Sequence, residues 1–361
     1  MVMKSNGEDA YFAASNSAFG FYSYYPQCFD SERIHHVYAI KGGPGTGKSR
    51  FMRDVAEYAR KRQWHVEYVY CSSDADSLDG VILSLEDFCI ALLDATAPHV
   101  YEPSSPGVRE DIVNLGAFWD SAKLLERADE IADWNEKKKK AYQMAYRYLA
   151  AYAEMSAIRD ALVAPYMNLD AMEMFASRLM FDIPMGSAFC NLPALIRSVG
   201  MHGMVAYDTY FAQAEKIYLI EDCRGSAQYF MRLLYRLCER KRLRIRVSHD
   251  PILPDRIDGI FLCESGLAFV VGREEECTYP YKRVGTRRFV DTASMKPIKE
   301  SLNHAEQMCR AMQGGAVDAL SMVRDAHFKL EDIYIASMDF DAKEAFTKSF
   351  CQKLFHLQNR K

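Results

Sequence analysis

Eight consecutive residues restrict what this chain can fold into more than any other stretch. Gly42-Gly43-Pro44-Gly45-Thr46-Gly47-Lys48-Ser49 fits the pattern G-x-x-x-x-G-K-[ST] at every position. Such a loop has to leave a strand and enter a helix, because its backbone amides gather around a ligand only where a helix begins. The flanks fit this requirement. Val37-Tyr38-Ala39-Ile40 is a short apolar run of strand type, and Phe51 to Arg62 has helical spacing.

The residue types match the chemistry of a phosphate chain, which brings several negative oxygens that need donors at close range. Glycines let the backbone turn tightly so that successive N–H groups point inward. The helix beginning near Gly47 adds unsatisfied N–H groups and the positive end of its dipole. Gly42, Gly43, Pro44, Gly45, Thr46 and Gly47 therefore form the expected binding loop, with Lys48 reaching the β- and γ-phosphates and the Ser49 hydroxyl a ligand for Mg²⁺. The chain has no Asn-Lys-x-Asp guanine-reading motif, so ATP is the expected nucleotide.

The bulk numbers narrow the class. The chain has 361 residues, 49% hydrophobic and 26% charged, which is globular composition with room for two domains. A net charge of −4 gives no electrostatic footprint for a nucleic-acid backbone. No signal-like segment opens the chain and no run approaches the ~18 apolar residues of a membrane helix, so a cytoplasmic protein without membrane partners is expected. Ten cysteines without a Cys-x-x-Cys pair read as reduced, mostly buried thiols.

The chain also repeats itself. Phe51-Met52-Arg53 recurs as Phe230-Met231-Arg232 and Leu78-Asp79-Gly80 as Ile257-Asp258-Gly259, both 179 positions on. Val37-Tyr38-Ala39-Ile40 matches Ile217-Tyr218-Leu219-Ile220 at 180, and Met167 to Phe175 matches Met338 to Phe346 at 171. Matches in a fixed order indicate a duplicated unit. In the second copy the loop reads Glu221-Asp222-Cys223-Arg224-Gly225-Ser226-Ala227-Gln228, without the lysine and two of the glycines. Glu221 and Asp222 place negative charge where a phosphate would sit, so this copy reads as one that keeps the fold and not the ligand. The competing reading takes Ile217 to Asp222 as the Walker B strand of one large domain, and the common spacing favours the repeat.

The expected fold is α/β: a P-loop NTPase-like parallel sheet with flanking helices on both faces, duplicated, with helical extensions. Residues 1–188 form the nucleotide-binding unit with its extension, and 189–361 the degenerate repeat with its own. Strands are expected at 36–41, 64–71 and 88–94, with a short helix between the last two, and in the second copy at 215–220, 243–248 and 266–271. From Ala122 to about Pro165 the pattern is helical, and Lys137-Lys138-Lys139-Lys140 reads as a solvated helix face.

Phe88 to Asp94 is the Walker B candidate, an apolar strand ending on a carboxylate expected to hold Mg²⁺ through water. No glutamate follows Asp94, so His99 is the candidate group to sense the γ-phosphate or orient water. Lys48, Asp94 and His99 make up the expected catalytic set, with Ser49 and Asp94 on the metal. Asp74 is a candidate for substrate or metal, or a turn residue, and Arg50, Arg53, Arg109 and Arg147 are candidate clamps on the triphosphate.

The Lys41 to Ser49 loop, the Cys71-Ser72-Ser73-Asp74 to Leu78-Asp79-Gly80 segment and Leu93 to His99 resemble a family of uncharacterised bacterial ATPase-like proteins built from tandem P-loop units. The resemblance extends to Met338-Asp339-Phe340 and implies ATP binding. In that family the second unit also carries an intact loop, and this sequence departs from the pattern at Asp222 to Gln228. Three readings follow: a slow Mg²⁺-dependent ATPase, a small-molecule kinase using the same site, or a non-catalytic ATP-gated switch whose degenerate half docks a protein partner.

Overall fold

The computed structural model describes residues 2–5, 8–30, 33–98 and 101–354. The first half runs β1 (Val2–Met3), β2 (Asp9–Phe12), β3 (Ala14–Ser17), β4 (Gly20–Ser23), α1 (Tyr25–Cys28), β5 (His36–Lys41), α2 (Lys48–Arg60), β6 (His65–Tyr70), β7 (Leu78–Leu85), β8 (Phe88–Asp94), β9 (Glu110–Asn114), α3 (Ser121–Glu126), α4 (Ala128–Val163) and α5 (Leu169–Leu179). The second half runs β10 (Cys190–Pro193), β11 (Arg197–Gly200), β12 (Gly203–Tyr207), α6 (Thr209–Gln213), β13 (Lys216–Glu221), α7 (Ala227–Arg240), β14 (Arg244–His249), β15 (Ile257–Leu262), β16 (Leu267–Val271), β17 (Lys282–Gly285), α8 (Lys299–Ile335) and α9 (Phe340–Leu354).

Each half builds a six-stranded sheet, in the order β2-β6-β7-β8-β5-β9 and β10-β14-β15-β16-β13-β17. The two orders match position for position. In each sheet five strands run one way and one, β7 or β15, runs against its neighbours. The sheets are therefore mixed, which corrects the all-parallel expectation. The short helix expected before β8 is in fact β7: Val81, Ile82 and Leu83 are all buried, so this run faces apolar layers on both sides. A tight turn with Glu86 at φ 51° closes the β7–β8 hairpin.

Helix α2 buries Phe51, Met52, Val55, Ala56 and Ala59 on one face of the first sheet, a stripe at helical spacing. The other face is covered by α1 and by segments of both halves, Leu195, Val205 and Tyr207 among them, and not by a layer of long helices.

The long helices do not stay with their own halves. Helix α4 departs from the first sheet and delivers α5 to the second, where Met172, Ala176 and Met180 pack with Phe230 and Leu234. Helix α8 returns, and α9 packs Phe346, Phe350, Cys351 and Leu354 against Phe51 and Val55 of the first sheet's helix. A division between residues 188 and 189 thus separates stretches of sequence but not packing units. Helices α4 and α8, of 36 and 37 residues, form an antiparallel pair about 54 Å long. Small residues at their seam, Ala141, Ala145, Ala316 and Ala319, allow close approach.

A pseudo-two-fold relation ties the halves together. Phe12 N–H donates to Leu195 O at 2.8 Å and Leu195 N–H to Phe12 O at 3.1 Å. The β3–β4 hairpin sends Ala18 N–H to Ile252 O of the second half, and β11–β12 sends Met201 N–H to Ser73 O of the first. Where the relation would place two identical residues face to face, the chain has Glu67 and Arg246, which ion-pair at 3.3 Å. Two like charges there would repel in a buried setting.

Candidate functional site

Because β5, β6 and β8 run the same way, the segments leaving them gather at one sheet edge: residues 42–47, 71–77 and 95–98. The Gly42–Ser49 loop connects β5 to α2 as its sequence requires. Gly45 and Gly47 have φ of 69° and 77°, backbone that a Cβ would strain. A side chain at Gly45 would also come within 2.7 Å of the Glu331 carbonyl oxygen. Lys48 Nζ donates to Gly42 O and Gly43 O, each at 2.9 Å, and lies 3.5 Å from Asp94 Oδ2.

Asp94 ends β8 directly beside Ile40 of β5. Its Oδ1 accepts from Thr96 N at 2.8 Å and from the Thr96 hydroxyl, which also lies 3.1 Å from Gly42 O. Burial raises the Asp94 carboxyl above its usual range, Lys48 opposes this, and Asp79 adds to it. Asp79, 4% exposed, was not singled out as a site residue from the sequence. The reversed direction of β7 brings its first residues to the same edge, a placement no local pattern encodes. Two buried carboxylates and the Ser49 hydroxyl form a hard oxygen set that suits Mg²⁺. Ser49 Oγ accepts the Leu78 N–H at 3.0 Å, and a hydroxyl retains a second lone pair for a cation.

The α4–α8 pair roofs this edge, closing a cavity of about 880 Å³. The lysine run is not simply a solvated face: Lys138 turns inward, with Nζ 3.1 Å from His327 Nδ1, while Lys139 also lines the cavity. Burial, with Lys48 adding, lowers the Lys138 ammonium below its usual range. His327 faces Glu331 at 3.5 Å, and this contact is the main cause holding the Glu331 carboxyl below its usual range, with the Gly45 N–H and Lys48 contributing. Beyond them lies a polar chamber where Tyr142 OH donates to Ser73 Oγ at 2.9 Å and Tyr146 OH to Asn16 Oδ1 at 3.0 Å.

Among the described residues no arginine lines the cavity. Arg50 pairs with Asp54, Arg53 binds Asp76 O, Arg109 binds Ile34 O, and Arg147 is exposed. The cationic side chains from the roof are lysines. Asp74 lies at the cavity wall with Oδ1 3.1 Å from His202 Nε2 of the second half. His99 lies outside the described residues.

The corresponding edge of the second sheet is filled from within. Asp222 accepts from Gly225 N and Ala227 N, each at 2.8 Å, so a carboxylate occupies the loop's donors. Asp160 of α4, at the position of Glu331 in α8, binds Gln228 at 2.7 Å and Arg256 at 2.8 Å. Lys48 corresponds to Ala227, Ser49 to Gln228 and Asp94 to Val271, the last fixed by pairing with Ile220. Asp258, the counterpart of Asp79, is held by Arg197 at 3.0 Å.

All ten cysteines are free. Among the described residues no helix is long and apolar enough to cross a membrane. Comparison with known proteins finds no matching family model, no similar curated protein and no similar solved structure.

Proposed function

We propose that this chain is a cytoplasmic protein that binds ATP with Mg²⁺ at the Gly42–Ser49 loop and hydrolyses it slowly. The observation that carries the reading is Lys48 beside Asp94 over a glycine loop at a helix start, with both residues replaced in the half whose loop is filled by Asp222. The loop amides and Lys48 hold the phosphate chain. Asp94, Asp79 and Ser49 would hold the cation, which supplies charge neutralisation on the phosphate oxygens. Lys138 brings a further positive charge from the roof. Ala95 and Thr96 follow Asp94, so no carboxylate adjoins it in sequence to take a proton from water, Asp79 is assigned to the cation, and turnover is expected to be slow.

A kinase reading has its own observation. The chamber of Asn16, Ser73, Tyr142 and Tyr146 is polar, whereas the second half has Val199, Ile252, Gln313 and Val317 at the corresponding positions. An acceptor hydroxyl fits such a chamber. Calorimetry with Mg²⁺-ATP on the wild type and Lys48→Ala, with phosphate and ADP release assayed in parallel, tests both readings. Failure of the wild type to bind ATP removes them together, and ADP formed only with an added acceptor favours the kinase.

A further inference from the structure

One buried ammonium stands beside the glycine loop. Lys343 of α9 is 5% exposed, and its Nζ lies 3.2 Å from where a Cβ on Gly47 would stand, at the start of α2. Asp54, the acid that acts on it most, pairs with Arg50 at 2.9 Å, and among the described residues no ion pair or hydrogen bond reaches the Lys343 ammonium. Leaving an ammonium buried without a partner is costly.

The second half supplies an internal control. Helices α9 and α5 occupy matching places: Asp339 N–H donates to Phe118 O and Asn168 N–H to Phe289 O, each at 2.8 Å. Asp339 and Asn168 then accept Ala342 N and Ala171 N, each at 2.9 Å. By this register Lys343 corresponds to Met172, which is fully buried in the core of the half whose loop is filled. The position is therefore an apolar packing site that carries a lysine only beside the open glycine loop.

We infer that α9 completes the nucleotide site, with Lys343 as a second phosphate-binding lysine at the nucleoside end and Phe340 as the platform for the base. The direction follows from the residues. Lys48, Asp94 and Asp79 gather at one end of the loop, where the terminal phosphates and cation belong. On the side where a Cβ of Gly45 or Gly47 would stand, Ile335, Lys343 and Phe340 flank the loop, and Ile335 and Phe340, 46% and 40% exposed, line the same cavity. A flat aromatic ring beside a cation suits a nucleobase followed by its first phosphate.

The inference rests on the ATP-binding reading, and the test separates the two. Full-length wild type, Lys48→Ala, Lys343→Met, Lys343→Arg and Phe340→Ala are titrated with Mg²⁺-ATP and with inorganic tripolyphosphate, and melted without ligand. Lys343→Met, which installs the residue of the matching helix, is expected to melt at or above the wild-type temperature yet bind both ligands about tenfold more weakly. Lys343→Arg keeps the charge and is expected to stay within about threefold of the wild type. Phe340→Ala is expected to lose about tenfold for ATP and little for tripolyphosphate. Wild-type ATP affinity in Lys343→Met, alongside loss in Lys48→Ala, overturns this inference and leaves the site standing. No ATP binding by the wild type overturns both.

Discussion

The two loops, Gly42 to Ser49 and Asp222 to Gln228, stand at the same place in sheets of the same strand order, and they solve one physical problem in two ways. Both leave a strand, turn through left-handed backbone, at Gly45 and Gly47 in the first and at Arg224 and Gly225 in the second, and present amides at a helix start. The second meets those amides with its own Asp222 and is sealed by Asp160, Gln228 and Arg256. In the first, no residue at the Asp222 position brings a carboxylate, the roof carries Lys138, and buried acids stand beside Lys48. The chain supplies its own carboxylate to the second loop and none at the matching place in the first, which is the contrast on which the proposed ATP site rests.

The largest expected effect tests the sealed half. Asp160→Ala leaves Arg256 and Arg159, both mostly buried, without their carboxylate, and should lower the stability of the second unit by about 3 kcal/mol in chemical denaturation. An unchanged denaturation midpoint would mean the seal is not structural. On the open half, Lys48→Ala should weaken Mg²⁺-ATP binding by roughly 10- to 100-fold, read by calorimetry. The wild type should bind one nucleotide per chain; a stoichiometry of two would erase the contrast between the loops.

Asp222→Ala exposes two loop amides without a protein acceptor and should cost about 1–2 kcal/mol. Added phosphate or ATP rescuing its melting temperature would show that the second loop retains anion affinity. The smallest effect concerns Glu331. Its carboxyl is held low in the folded chain, so its contribution is full above the unfolded value of about 4.3 and is lost as pH falls through the lower folded value. With a third of the side chain exposed, the difference between wild type and Glu331→Gln should be about 0.5 kcal/mol or less near neutral pH and vanish on acidification.

The strand, loop and helix at 36–60 were legible because they rest on neighbours in sequence: apolar residues, then glycines, then a helical stripe. The loss of Lys and Gly in the second copy was legible for the same reason. The β7 strand was missed because Leu78 to Leu85 alternates weakly and is buried on both faces, and an apolar run of that length does not announce its period. Lys138 was misread because four lysines in a row look alike until a roof is placed over one of them. The parallel between Met167 to Phe175 and Met338 to Phe346, at 171 positions instead of 179, was the available signal that the helical segments form their own repeated register.

By itself the sequence determined that one half carries a glycine loop with Lys48 and Ser49, that a second half repeats its pattern, and that the second loop lacks the lysine and two of the glycines and opens on acids. These are properties of contiguous residues, fixed by backbone freedom and local periodicity. Only the tertiary structure decided that α5 and α9 trade halves, that Asp79 stands beside Asp94, and that Lys138, His327, Glu331 and Lys343 converge on the loop from far along the chain. Such contacts come from how a long helical pair packs across two sheets, and packing over that separation leaves no period in the sequence to read.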